Sequence, residues 1–250
     1  RASRASARGL FDRWQRTEDA FRRADALTLV SDFDRRYAEK MKYQPAERLL
    51  TVENPLLEDW LGQPFASERP PTIGFCGSWL PNKGAEVLLA ALTTVLRDWP
   101  QWRARLIGLE RRTDLPAIPD ELERRIEYVP FVPRERLREE YRQMAILALP
   151  SAYESFGLVA AEAMACGCAL AATPTGFAAD LIPDKEARVI EPRTAKAWTD
   201  GLSGLMASET RRRAIARAGW ERVQELRWPE AVDRLEAFYA RLLAARRRAA

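Results

Sequence analysis

Apolar residues recur along this chain in two rhythms. Short runs at Thr72 to Cys76, Ala104 to Ile107, Ile126 to Val129, Ala145 to Leu149, Cys168 to Ala172 and Ala187 to Ile190 have the length and composition of strands buried on both faces. Between them apolar positions return every three or four residues, as at Leu88, Leu92, Val95 and Leu96, the mark of an amphipathic helix. Helices are predicted from the Gly84 loop to Asp98, over Arg134 to Met144, and over Ala160 to Ala165 with Leu158 and Val159. Such β-α alternation requires a parallel sheet with helices on both faces.

The ends of the chain carry the same two rhythms more sparsely. Upstream, Leu10 to Ala24 reads as a helix with Leu10, Trp14 and Phe21 on one face, and Ala26 to Val30 as a short buried strand. Asp32 to Tyr43 follows as a helix and Leu49 to Val52 as another strand, while Gly62 to Pro71, with Pro64, Pro70 and Pro71, has a linker's composition. Three helices close the chain, over Ala195 to Met206, Glu209 to Leu226 and Pro229 to Arg246. The last is predicted to bury Val232, Leu235, Tyr239, Leu242 and Leu243.

One segment stands out for its chemistry. After the strand ending at Leu149 comes Pro150, then Ser151-Ala152-Tyr153-Glu154-Ser155-Phe156-Gly157-Leu158, and Glu162 lies within the helix that Gly167 ends. A strand feeding a loop and a helix N-terminus is where open α/β sheets bind ligands, and free amides at such a helix start attract phosphate. Glu154 and Glu162 flank that point eight residues apart, a pattern suited to an anion between two diols. A nucleotide sugar has that pattern.

This block, with its flanking Pro-Ser-x-Tyr-Glu-x-Phe-Gly-Leu and Glu-Ala-Met-Ala-x-Gly, resembles the E-x7-E signature of the retaining glycosyltransferases of family 4, also called glycosyl transferases group 1, with the GT-B fold. The resemblance implies that Glu154 contacts the transferred sugar and Glu162 the ribose hydroxyls. It also aligns Gly77-Ser78-Trp79-Leu80-Pro81-Asn82-Lys83-Gly84 with a family loop of pattern G-R-L-x-x-x-K-G, whose cations meet the donor diphosphate. Lys83 matches; the arginine's place holds Ser78, which brings a hydroxyl and no charge. Phe131 and Val132 fall in the loop that meets the base, where Phe131 reads equally as a stacking partner or a core residue. The donor-binding set implied is Gly77, Ser78, Lys83, Phe131, Val132, Glu154, Ser155, Phe156, Gly157, Leu158 and Glu162, with Lys83 and Glu154 as the catalytic pair.

The fold class expected is therefore α/β of GT-B type, a Rossmann-like parallel sheet with helices on both faces and a truncated N-terminal domain. Residues 1–62 are expected to be the end of an acceptor domain, 63–71 a linker, 72–227 the nucleotide-sugar domain, and 228–250 a helix crossing back. The activity implied is transfer of a sugar from a nucleotide-diphosphate sugar to an acceptor hydroxyl with retained configuration, in polysaccharide or glycolipid synthesis. No metal and no other cofactor are expected. The partners implied are the nucleotide-sugar donor and a carbohydrate or lipid-linked acceptor. The rival is a nucleotide-sugar-binding subunit without catalysis of its own, which the loss of the loop arginine favours.

Composition narrows the alternatives. The 250 residues are 47% hydrophobic and contain no histidine, which excludes Ser-His-Asp or Cys-His catalysis within the chain. Three cysteines, Cys76, Cys166 and Cys168, make no disulfide framework and point to a reducing cytoplasm. The net charge of +4 comes with no zinc-ligand set or RNA-binding motif, so nucleic acid is not an expected partner. No G-x-G-x-x-G occurs, which disfavours a nicotinamide enzyme. No apolar run nears the ~20 residues of a membrane span. The start, Arg-Ala-Ser-Arg, carries neither Met nor an apolar segment, and an excerpt of a longer cytoplasmic chain, peripheral at the inner membrane face, is expected.

Overall fold

The structure is a computed structural model that describes residues 15–111 and 118–249. Its centre is a six-stranded parallel sheet of β3 (Thr72–Cys76), β4 (Arg103–Ile107), β5 (Ile126–Val129), β6 (Ile146–Leu149), β7 (Ala169–Ala172) and β8 (Arg188–Val189), in the order β5-β4-β3-β6-β7-β8. The chain lays down β3, moves outward through β4 and β5, then returns to place β6 on the other side of β3. The order reverses between β3 and β6, which leaves a crevice beyond their carboxyl ends.

Strand alternation feeds two cores. Ile73, Phe75, Ala104, Leu106, Ile146 and Ala148 face one layer, with helices α3 (Ala85–Asp98) and α7 (Ala195–Ala207) packed on it. Leu147, Leu149, Leu170 and Ala172 face the other, covered by α5 (Arg134–Arg142), α6 (Leu158–Ala165) and α8 (Glu209–Val223). Helix α6 is hydrophobic nearly all round, and its residues Ala160 to Ala165 are all buried. It is a core helix carrying one acid, Glu162. A one-turn helix, α4 (Asp120–Glu123), precedes β5.

The amino-terminal part is smaller. A helical stretch over residues 15–23 (α1) leads to β1 (Leu27–Leu29), helix α2 (Asp32–Lys40) and β2 (Leu49–Thr51), and the two strands pair in parallel. Leu10, Arg13 and Trp14, part of the expected first helix, lie outside the described residues. Strand β1 is not the buried strand the sequence suggests: Thr28 is exposed, and Leu27 and Leu29 are half-buried. Among the described residues it has one strand neighbour, and its small core is Ala38, Tyr43 and Leu49.

Helix α2 is capped twice. The Ser31 hydroxyl accepts from the Asp34 amide, and the Asp180 carboxylate accepts from the amides of Asp32 and Phe33 at 2.8 and 3.3 Å. Asp180 also pairs with Arg36 at 2.8 Å, so one acid from the turn after β7 ties the small sheet to the large one. Helix α9 (Trp228–Ala249) returns to the amino-terminal part, with Arg234 donating to the Thr51 carbonyl at 2.6 Å and Arg241 to that of Glu47 at 2.9 Å. Its buried stripe corrects the expected one. Ala231 and Phe238 are buried with Leu235 and Leu242 beside them, whereas Val232, Tyr239 and Leu243 are exposed. The two stripes differ by one residue, about 100° of helix rotation, which periodicity resolves poorly where apolar residues are adjacent.

Candidate active site

The loops after β3 and β6 meet at the crevice. After Cys76 and Gly77 the chain turns through Ser78 and Trp79 into a 3-10 turn, Pro81–Lys83, and enters α3 through Gly84. Gly84 has φ 71°, and a Cβ there would fall on the Pro150 carbonyl, so only glycine lets the two loops approach. The Ala152 amide donates to the Asn82 carbonyl at 2.6 Å across the same gap. This approach brings Lys83 to Glu154.

The Lys83 ammonium lies 2.7 Å from Glu154 Oε1, and the Ser151 hydroxyl donates to the same oxygen at 2.7 Å. Both side chains are mostly shielded, with 28% and 12% of their surfaces exposed. Ser151 is itself buried and held from behind, its carbonyl accepting from the Thr173 hydroxyl. Beyond Glu154, Gly157 adopts φ 91° and opens α6 without any side-chain cap. The Ala160 amide donates to the Gly157 carbonyl at 2.9 Å, which leaves the amides of Leu158 and Val159 at the positive end of the helix dipole.

Glu162 lies in the second turn of that helix. It is 6% exposed, accepts one long hydrogen bond from the Tyr141 hydroxyl at 3.5 Å, and lies 3.9 Å from Arg134. Burial raises its pKa, opposed by Arg134 and then by Tyr141. A shielded carboxylate with so few donors is under-satisfied, and a neighbouring pair of hydroxyls would supply what it lacks. Cys76, at the end of β3, is close enough to both Glu162 and Lys83 to feel their charges. Burial raises its thiol pKa, opposed by its contact with Tyr141, and the charges of Glu162 and Lys83 act on it in opposite senses. Glu154 and Glu162 thus precede and follow Gly157 in the chain, the first held by Lys83 and Ser151 and the second beside Tyr141 and Arg134.

The other residues of the set separate into several surroundings. Ser78 and Leu158 are exposed; the Gly77 amide donates to the Ile107 carbonyl at 3.0 Å. Ser155 is exposed with its hydroxyl 3.2 Å from that of Tyr153. Phe131 is 86% exposed, so the core alternative for it is removed, while Val132 is half-buried against the core. Phe156 is buried with its ring 5.0 Å from that of Phe177, and a ligand could meet only its backbone. Cys166 and Cys168 are free thiols whose pKa values burial pushes to about 11 and about 12.

Four neighbours of the acids were not in the expected set: Ser151, Tyr153, Arg134 and Tyr141. Arg134 and Tyr141 are seven apart on α5, hence on one helix face, and that spacing was the available signal. That the face meets Glu162 follows only from the packing of α5 on α6.

Lys83, Glu154 and the uncapped start of α6 come together at the switch point of a parallel sheet. Residues 58–222, more than half of the chain, match the family described as glycosyl transferases group 1, and the chain belongs to that family. It is 31% identical over 193 residues to a D-inositol 3-phosphate glycosyltransferase of Corynebacterium urealyticum, covering 73% of this chain and 45% of that one. In structure it resembles a sucrose-phosphate synthase from Thermosynechococcus elongatus, with TM-score 0.73, 24% identity, and 92% and 61% of the two chains covered. An Anabaena protein, HepE, solved with UDP and glucose, aligns with TM-score 0.68 and 19% identity over 89% of this chain and 64% of that one. The fold is of GT-B type. The chain spans about half the length of the curated relatives it matches.

Proposed function

We propose that this chain forms the donor-binding part of a glycosyltransferase that moves a sugar from a nucleotide-diphosphate sugar to an acceptor hydroxyl, with retention and without a metal ion. One observation carries the reading: Lys83 and Glu154, 71 residues apart in sequence, are paired at 2.7 Å beside the uncapped start of α6. The diphosphate lies against the α6 amides. Lys83 turns from Glu154 to the departing phosphate, a preorganised charge where negative charge develops. Glu154, held by Ser151, then accepts from hydroxyls of the sugar, and Glu162 grips the ribose diol.

The amino-terminal part and helix α9 belong on this reading to an acceptor domain, residues 1–62 and 228–250, and residues 72–227 are the donor domain. Ser78 leaves one phosphate cation fewer than the family loop provides, so Lys83 carries more of the leaving-group charge. The acceptor is a carbohydrate or lipid-linked molecule, and the protein works in the cytoplasm, peripheral at the inner membrane face. Among the described residues no helix is long and apolar enough to cross a membrane. The name of the Corynebacterium relative and the UDP in the HepE structure support inositol-type acceptors and UDP as first choices to try.

Titration calorimetry with nucleoside diphosphates and monophosphates tests the assignment. UDP binds the chain more tightly than UMP, and Lys83→Ala removes about 1.5–3 kcal/mol of that preference, the worth of a charged hydrogen bond. Equal binding of UDP and UMP, or an unchanged preference in Lys83→Ala, would remove the lysine from the diphosphate site. NMR of the anomeric proton of the product, formed by the full-length protein, tests retention.

A further inference from the structure

We propose that a groove at the amino-terminal edge of the large sheet binds the phosphate group of a small, freely diffusing phosphomonoester, such as a sugar phosphate. The groove measures about 390 Å³ and lies where β4 and β5 begin, between the edge strand β5 and the end of α5. That volume falls within the roughly 300–1,000 Å³ of small-ligand pockets. The groove is separate from the donor crevice, which lies at the other end of the same strands. The five residues of β4 alone span roughly 16 Å at ~3.3 Å each.

Among the described residues, four arginines and one carboxylate, Glu127, line the groove. Two of the arginines are already committed. Arg125 donates to the carbonyls of Leu96, Trp99, Pro100 and Trp102, where it closes the carboxyl end of α3. Arg105 pairs with the buried Glu140 of α5 at 2.6 Å and with Glu127, its partner in the register of β4 on β5. The carboxylate on the lining is therefore neutralised from within.

Arg103 and Arg124 are left over. Both are exposed, and among the described residues neither pairs with an acid or donates to a carbonyl. Ala104 registers with Ile126, so the two arginines stand at the start of neighbouring strands. Two unopposed cations match the charge of a phosphomonoester, about −1.5 to −2 near neutral pH. Guanidinium groups bond phosphate oxygens in pairs, and three oxygens let both arginines engage one group. A carboxylate, with two oxygens and one charge, satisfies them less well. The exposed Gln143 adds an amide for hydroxyls of the carrier.

The surroundings choose the source of the phosphate. Among the described residues, none of the exposed large apolar side chains lines the groove. Nothing there enters a bilayer beside the arginines, so a lipid headgroup is the poorer occupant. A concave, polar hollow suits a ligand that arrives alone.

The test is an amide NMR titration of the full chain with D-glucose 6-phosphate, D-glucuronate and D-glucose at constant ionic strength. Glucose 6-phosphate shifts the amides of Ala104, Ile126 and Gln143 to saturation, and glucose shifts none of them. Glucuronate binds there about threefold or more weakly, and Arg103→Gln and Arg124→Gln each weaken glucose 6-phosphate about fivefold or more. Arg16→Gln combined with Arg23→Gln, an equal loss of charge on α1, leaves that affinity unchanged. UDP affinity by calorimetry is the same in Arg103→Gln and Arg124→Gln as in the wild type, so the groove stands or falls apart from the donor reading. The proposal is overturned if no saturable shift occurs, if shifts are confined to Leu158 and Val159, or if the α1 variant weakens binding equally. Vesicles of phosphatidic acid that sediment with the chain through Arg103 and Arg124, with no response to glucose 6-phosphate, overturn it in favour of a lipid headgroup.

Discussion

Replacing Glu162 by glutamine should strengthen the fold and weaken the nucleotide, because the same shielding governs both. The carboxyl is 6% exposed, with Tyr141 at 3.5 Å as hydrogen-bond donor and Arg134 at 3.9 Å as the nearby cation. Burial raises its pKa above the ordinary 4.5, so the folded state holds the proton more tightly than the unfolded chain. Its favourable contribution is complete below the unfolded value and is lost as pH rises through the folded one, so at pH 7 the charged acid costs stability. Glutamine keeps the shape and the acceptor for Tyr141 but carries no charge. Urea unfolding at pH 7 should show a higher midpoint for Glu162→Gln, an advantage that disappears near pH 4.

Binding moves the other way. Loss of the charged acceptor for a ribose hydroxyl costs about 1.5–3 kcal/mol, a ~10- to ~150-fold weaker UDP complex by calorimetry. Wild-type affinity should also fall as pH drops through the raised pKa, and the variant should not follow. The ligand supplies the control: 2′-deoxy-UDP binds the wild type less well than UDP, and the variant does not distinguish them. If Glu162→Gln weakens both nucleotides by one factor, the acid does not grip the ribose. A variant less stable at pH 7 would refute the argument from shielding.

Two further changes test how the cleft is held. Gly84→Ala forces a side chain into a left-handed conformation and onto the Pro150 carbonyl, and should cost more than about 2 kcal/mol in urea unfolding while loosening the Lys83–Glu154 pair; a neutral result would mean that the loops do not need to touch. Asp180→Ala strips the acceptor from two amides and from Arg36, and should destabilise by about 1–3 kcal/mol; a loss below about 0.5 kcal/mol would deny it the role of a cap.

The sequence by itself determined the alternation of strands and helices, because a strand buried on both faces must be a short unbroken apolar run. Thr72–Cys76 and Ile126–Val129 fall where their apolar residues begin and end. It also determined the candidate acids, because Glu154 and Glu162 bracket a glycine in a block whose resemblance to the family is dense. Periodicity could not choose the buried side of α9, where Leu242 and Leu243 are neighbours and only the site of contact separates them. Nor could local pattern foresee that Lys83 reaches Glu154, since their pairing follows from the return of β6 to the flank of β3. Arg134 and Tyr141 stand beside Glu162 for the same kind of reason. Residue types fix which groups are available, while the order of strands in the sheet fixes which of them meet.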